Sequence, residues 1–468
     1  VPQVIMPKKK GSKKSKKEVV VEVLAVSRPQ VGSAPRHCGA THMLPSLRPA
    51  LPAASSLFAQ RDFGAEFEPV DGKGGELGLE HLEFTRKVDD VAARLTEFQA
   101  AMAPSSGGIV DISGLRCHEL PATLVEDAEA ADGCSSLVAS DNLLVGTGLG
   151  SLPALRNMVS LDLSANFLVG VGPAVLGELR KLEVLRVGSN KITVIPDEWA
   201  GMIMLKELHV ESNDLKELPG ACIASWPRLA VVDARSNKLT ALPDELGACI
   251  ALRRLVVAAN EIAALPDALG DALGLETLDA SGNKLTAVPP SLAACSRMRA
   301  LRMCNNAVAD LPAELFAEMG SLRELALHNN KLSQLPASIG SCARLEVLTL
   351  SGNGIKSLPD ELAGCTDMKE FYCNNNAGLT SMPASLKAWS AIEAVSFKGC
   401  KIKGFPEPEE EFAAAWAGTL KHLDVTSKGK KPSCKLPKDA FTDKMYRTTI
   451  VGAAEKKVKK SKKGKKKG

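Results

Sequence analysis

Apolar residues return along the middle of this chain in the order L-x-x-L-x-L-x-x-N-x-L-x-x-L-P. One full copy runs over Asn237–Asn260 as NKLTALPDELGACIALRRLVVAAN. The asparagines Asn142, Asn166, Asn190, Asn213, Asn237, Asn260, Asn283, Asn306, Asn330, Asn353 and Asn376 stand 23 or 24 residues apart. A period of that length predicts a stack of identical turns. No turn can bury its own apolar side, so its neighbours must supply the core.

Within a turn the pattern alternates, which predicts a short strand. In Leu252–Asn260, Leu252, Leu255 and Val257 are expected to point inward, and Arg254, Val256 and Ala258 outward. Side by side, such strands form a parallel sheet on a concave wall. The asparagine closes the strand, where buried turn amides and carbonyls need partners, and its side chain can both donate and accept between adjacent turns. Proline follows six residues later (Pro196, Pro219, Pro243, Pro266 and Pro289 among others), a residue that suits a bend away from the sheet. Eleven residues before each asparagine the chain is always apolar: Leu155, Leu179, Met202, Trp226, Cys249, Ala272, Cys295, Met319, Cys342, Cys365, and Trp389 before Cys400. That column predicts the core contact of the convex segments.

With "LP" after its asparagine, the repeat resembles the 23-residue class of the leucine-rich repeat superfamily, the class carried by Ras-suppressor-like proteins and plant intracellular Ras-group-related repeat proteins. The likeness spans residues 105–428, about two thirds of the chain. It implies an α/β solenoid: a curved leucine-rich repeat horseshoe of about fourteen rungs with short helical or irregular convex segments. The first rung is degenerate, with Leu115 in the asparagine slot. The next asparagine comes 27 residues on, which predicts a longer convex segment through TLVEDAEAADG. Asn376 is followed by an extra residue, Cys400 takes the next asparagine slot, and Leu420, Leu423 and Val425 make the last rung after the acidic insert Glu407–Glu411.

Outside the repeats, residues 1–78 read as a disordered basic segment, rich in proline and alanine after its lysine run. Residues 79–104 read as a capping helix, since Leu79, Leu82, Val88, Val91, Leu95, Phe98 and Met102 can share a face. Residues 429–452 read as a C-terminal cap containing an edge strand near Tyr446–Ile450, and 453–468 as a disordered lysine-rich tail. Met6 stands two residues before the lysine run, so residues 1–5 read as upstream translation or a fragment boundary.

The net charge of +4 conceals a split: Lys8–Lys17 holds seven lysines and Lys456–Lys467 nine, and setting those sixteen aside leaves −12 for the remainder. Lysine runs without interleaved aromatics imply salt-sensitive attraction to anionic surfaces or nucleic acid rather than base readout. They also suit a nuclear address or plain solvated ends. The twelve cysteines are scattered without a C-x-x-C pair, which points to free thiols in a reducing, intracellular and cytoplasmic setting. No run of about 20 apolar residues predicts a transmembrane segment.

No nucleophile–base arrangement stands out along the chain. Gly146-Thr147-Gly148-Leu149-Gly150 lacks a following Gly-Lys-Ser/Thr and stands where other turns carry leucine and proline, so it reads as a turn. His37, His42 and His81 lie outside the repeats, and two small thiols on adjacent rungs, Cys342 and Cys365, do not make a metal site. The reading is a non-enzyme with no cofactor and no metal.

The outward strand positions are the better lead: Asp162, Arg186, His209, Glu211, Asp233, Arg235, Arg254, Asp279, Arg302, His328, Tyr372 and Lys398. Mixed charge on a rigid curved sheet suits a complementary protein surface, although outward strand positions must be polar for solubility alone. Two readings of function follow. In the first, a chain that is monomeric by itself binds another protein on its concave face, and the family resemblance implies signalling with a small GTPase. In the second, it is a structural component of a polyanionic assembly (ribonucleoprotein, chromatin or cytoskeletal lattice) held by its lysine tails.

Overall fold

A computed structural model of the chain describes residues 108–126, 128–404, 406–416, 418–426 and 449–451. The chain divides into two units, Val1–Asp71 and Gly72–Gly468, and every described residue lies in the second. The basic segment at 1–78, the capping helix at 79–104 and the tail at 453–468 fall outside the described residues, as does most of the 429–452 cap.

The described part of the second unit is a leucine-rich repeat solenoid. Its wall is a sheet of fifteen strands, three residues each, running from Ile109–Asp111 to Thr449–Val451. Fourteen are the expected rungs. The fifteenth, Thr449–Val451, pairs parallel to His422–Asp424 at the end of the predicted cap. The register keeps one buried column in line: Leu208 pairs with Val232, then Leu255, Leu278, Leu301, Leu325, Leu348 and Phe371 follow in turn. A slip of one residue would turn that column out to solvent, so the apolar alternation itself sets the register.

Each asparagine from Asn142 to Asn376 binds its own turn and the one before. Asn237 donates from Nδ2 to Ala234 O at 3.1 Å and to Val210 O at 2.9 Å, while its Oδ1 accepts the Leu215 N–H at 3.0 Å. The turn in front of it is tight. The preceding residue sits in the left-handed region, with φ of 55–57° at Asp141, Ala165, Ser189, Ser212, Ser236, Ala259, Asn305, Asn329 and Asn375. That conformation costs a non-glycine residue about 1–2 kcal/mol, and the bonds of the asparagine hold it in place.

The exception is instructive. The Cys400 thiol donates to Cys373 O at 3.0 Å, the carbonyl an asparagine would take. It has no oxygen for the N–H of the preceding rung. There the residue inserted after Asn376 lets Leu379 N–H turn back onto Asn376 O at 3.1 Å. Insertion and substitution thus compensate each other.

On the convex side, prolines such as Pro196, Pro266 and Pro359, with φ of −76°, −68° and −72°, start single 3-10 turns at Asp197–Gly201, Asp267–Asp271 and Asp360–Gly364. The long second segment is helical over Thr123–Glu126 and Ala128–Gly133, and the acidic insert leads into a helix at Glu409–Trp416. Gly146–Leu149 is a 3-10 turn whose Leu149 is buried. The whole apolar column eleven residues before the asparagines is buried. Trp199, Trp226, Trp389 and Trp416 are fully buried too, and each indole N–H donates to a carbonyl of the preceding turn, at 2.9–3.2 Å. Such satisfied indoles let large side chains fill a core otherwise built from leucine and alanine.

Candidate functional site

Three outward columns line the sheet face, set six, four and two residues before each asparagine slot. All twelve predicted positions fall on them. Arg254 is in the first column. Asp162, Arg186, His209, Asp233, Asp279, Arg302 and Tyr372 are in the second, and Glu211, Arg235, His328 and Lys398 in the third. Arg235, Arg254 and Lys398 are exposed, and most of the others are half-buried. Asp233 departs from its expected exposure, with a side chain only 4% accessible.

It is paired with Arg235, whose Nε donates to Asp233 Oδ1 at 3.0 Å while Nη2 donates to Oδ2. Asp233, by that hydrogen bond, holds the Arg235 guanidinium further above its ordinary range. Arg302 makes a similar fork on Glu324, with Nε to Oε1 at 2.6 Å, and Arg186 Nη2 reaches Glu207 Oε2 at 3.4 Å. Two-point pairing to a planar carboxylate fixes a guanidinium's orientation as well as its place. Tyr372 donates to Glu370 Oε2 at 3.2 Å; burial first, and then the Glu370 charge, push its phenol up to about 12. His328 Nδ1 and Thr349 Oγ1 share a hydrogen bond at 2.9 Å. Asp162 and Asp279 accept backbone N–H groups from Ser164 and Ser281 at 2.9 and 3.1 Å, so these two acids also serve the wall itself.

Between the arginines the face is low. Val256, Cys304 and Ala326 are outward by register yet buried, and Ala258, Thr277, Ser281 and Ala300 continue the strip. Arg235 and Arg254 stand exposed beside it, and the half-buried Arg302 lies within it. Ion-pair ladders frame the sheet. At the strand entries they run Glu183–Lys206, Arg253–Glu276–Arg299, Arg323–Glu346–Lys369 and Glu393–Lys421, at 2.6–3.4 Å. Beyond the asparagines they are Asp214–Lys238 and Glu261–Lys284, at 2.7 and 2.6 Å. Exposed pairs of this kind add little stability, but they hold the rim residues upright and cancel their charge locally.

Reading single outward residues missed the carboxylates that anchor the arginines, Glu207 and Glu324, and the strip of small residues between them. Both were legible as columns, since their offset from the asparagine is fixed. None of the ten cysteines among the described residues is in a disulfide. Burial pushes the Cys342 and Cys365 thiols up to about 12 and raises Cys373, which keeps them protonated. No helix among the described residues is long and apolar enough to cross a membrane.

Comparison with known proteins agrees with this architecture. A family model described as leucine rich repeat matches residues 156–215 and 296–355, and a second with the same description matches 274–295. No curated protein matches the chain. Among solved structures, a leucine-rich repeat protein of Leptospira interrogans superposes with a TM-score of 0.51 at 20% identity, covering 75% of this chain and 97% of that one. An internalin, InlF, of Listeria monocytogenes gives 0.59 at 18% identity, covering 69% and 88%. The plant peptide hormone receptor RGFR1, solved in complex with RGF2, gives 0.55 at 21% identity, covering 69% of this chain and 55% of the receptor. These likenesses are of fold. The repeats that carry them are scaffolding on which unrelated sites are built.

Proposed function

We propose that the sheet face is a docking surface for another protein and that the chain works as a non-enzymatic scaffold. The observation that carries this reading is the set of arginines standing over a strip of small side chains, three of them held by carboxylates on the wall. Arg235 keeps half of its side-chain surface accessible, and Arg186 and Arg302 keep 38% and 31%. A guanidinium already fixed in direction loses little freedom on binding. Arginine is also among the residues that most often dominate protein interfaces. Leucine-rich repeat folds commonly serve as protein-interaction modules, and the receptor above was solved with its peptide hormone.

The resemblance to Ras-group-related repeat proteins makes a small GTPase the first partner to try and signalling the first context. The partner surface that fits the arginines carries carboxylates that can reach two nitrogens at once. The competing reading assigns affinity to the lysine runs at 8–17 and 456–467 and treats the solenoid as a spacer.

Binding of the full chain to a panel of Ras-type GTPases, in both nucleotide states, tests the two readings. The measurement is repeated for the triple variant Arg235→Ala/Arg254→Ala/Arg302→Ala and in raised salt with nuclease. The expected result is a discrete interaction that survives salt and nuclease and drops at least about tenfold in the variant, as hot-spot truncations do. Binding that ignores the three arginines, or that vanishes with salt or nuclease, would assign the affinity to the tails.

A further inference from the structure

Three side chains of the metal-ligating kind meet on the sheet face, towards its amino-terminal side. His209 and Asp233 are register partners on neighbouring strands. Glu211 follows His209 by two residues and so projects from the same face. One ligand atom from each, an imidazole nitrogen and two carboxylate oxygens, lies within 4.8 Å of the other two.

Two further observations single this group out from the other acids of the face. Glu211 Oε2 is buried and has no hydrogen-bond partner. Burying an ionised oxygen without a counter-charge or donor is costly, and the neighbouring acids avoid it, Asp162 and Asp279 by backbone N–H groups and Glu207 and Glu324 by arginines. The second observation is the floor beneath Glu211. Gly188 stands at the same column position on the preceding rung, and a Cβ there would lie 2.4 Å from Glu211 Oε1. Only a residue without a side chain leaves that carboxylate its place.

The charges point the same way. The nearby cations are already committed, Arg235 to Asp233 and Arg186 to Glu207, which also shares a hydrogen bond with His209 Nε2 at 3.3 Å.

We infer that His209, Glu211 and Asp233 form a binding site for one divalent late first-row transition metal ion, zinc being the best match to the donors. One imidazole with two carboxylates suits Zn²⁺, and the imidazole disfavours Mg²⁺ and Ca²⁺, which take oxygen ligands. Three protein ligands leave a fourth position, which opens on the side where a partner would dock. Arg235 gives up at least one of its bonds to Asp233 when the ion binds. The ligands lie two and 24 residues apart in the chain, a spacing that resembles no linear metal motif, because the solenoid rather than the local sequence brings them together. This site does not depend on the face being a protein-docking surface.

The test uses the full chain stripped of metal. Zinc is titrated calorimetrically, and the thermal midpoint is followed with added Zn²⁺, with Mg²⁺ and Ca²⁺ as controls. Cobalt absorption serves as a second probe, because thiolate ligation gives a charge-transfer band that nitrogen and oxygen ligation does not. The expected result is one zinc per chain, a zinc-dependent rise in the midpoint, and a cobalt spectrum without the thiolate band. His209→Ala and Glu211→Gln should each weaken binding by more than the roughly 10- to 100-fold that loss of an outer-shell partner costs, with metal-free midpoints like that of the wild type.

Gly188→Ala is a separate check. It removes no ligand and meets only the movable end of Glu211, so it should fold normally and still weaken zinc. Failure of the wild type to respond at millimolar zinc, equal binding by wild type and variants, or a thiolate band in the cobalt complex would each overturn the assignment.

Discussion

Replacing Asn260 by alanine tests the account of the asparagine ladder most directly. Asn260 is 7% exposed and makes three bonds at 3.0 Å: Nδ2 to Ala234 O, Nδ2 to Val257 O, and Oδ1 from Leu239 N–H. The two carbonyls do not fall idle in the variant. Ala234 O keeps Asn237 Nδ2 at 3.1 Å, and Val257 O keeps Asn283 Nδ2 at 2.9 Å. Each therefore loses only one of two bonds, on the order of 0.5–1 kcal/mol apiece. The Leu239 N–H is left buried and alone, at about 1–3 kcal/mol. The expected cost is about 3 kcal/mol. Asn306 makes the equivalent bonds, to Ala280 O, Met303 O and the Leu285 N–H, but is only half-buried, so water can replace part of them and the same substitution should cost about 1 kcal/mol. Denaturant unfolding followed by circular dichroism and by tryptophan fluorescence measures both. Trp199 and Trp226 report on one side of the break and Trp389 and Trp416 on the other. In a solenoid held by nearest-neighbour contacts, a weak joint should pull the two sets of signals apart. A cost below about 1 kcal/mol for Asn260→Ala, or equal costs at the two sites, would refute this assignment of stability to the buried amide.

Three other outcomes are expected. Ala259 holds φ of 55° in the slot where Gly282 and Gly352 occur; Ala259→Gly should stabilise by about 0.5–1 kcal/mol, the relieved strain exceeding the added freedom of the unfolded chain, and a loss of stability in the same unfolding assay would contradict this. Because burial puts Cys342 and Cys365 at about 12, on the order of one thiol in ten thousand is ionised at pH 8; mass spectrometry after iodoacetamide treatment should find both unmodified until denaturant is added, and rapid labelling of the folded chain would show the burial to be wrong. Glu346 is held below the ordinary glutamate value, chiefly by the hydrogen bond from Lys369 and also by Arg323. Its pairing thus stabilises above about pH 4.3 and fades as pH falls through the lowered folded value, so Glu346→Gln should cost about 1 kcal/mol or less at pH 7 and progressively less in acid; a cost that does not shrink would mean that the charge is not what matters.

Much of the architecture was legible because a solenoid writes its tertiary contacts into the period. The asparagine at a fixed interval marks the turn, the proline six residues later marks the bend, and a column counted back from the asparagine names the buried residue of the convex side. Even the irregular joints were visible in the sequence: the extra residue after Asn376 and the thiol at Cys400 were each noted as departures. That they answer one another, through Leu379 N–H and Asn376 O, was not visible, because it depends on which carbonyl lies within reach.

By itself, then, the sequence determined the repeat, the strand register and the direction of every side chain on the wall, because apolar residues at fixed offsets have a single way to be buried together. It also determined the list of residues on the exposed face. Only the tertiary structure decided how those residues divide among themselves. Arg235 turns back onto Asp233 of its own rung, whereas Arg302 reaches Glu324 on the next. Glu211 lies over a glycine and finds no donor, although by its column position it is no different from its neighbours. Side-chain pairing across rungs is set by distances of a few ångströms between residues some 24 apart in sequence, and a column of letters does not contain those distances.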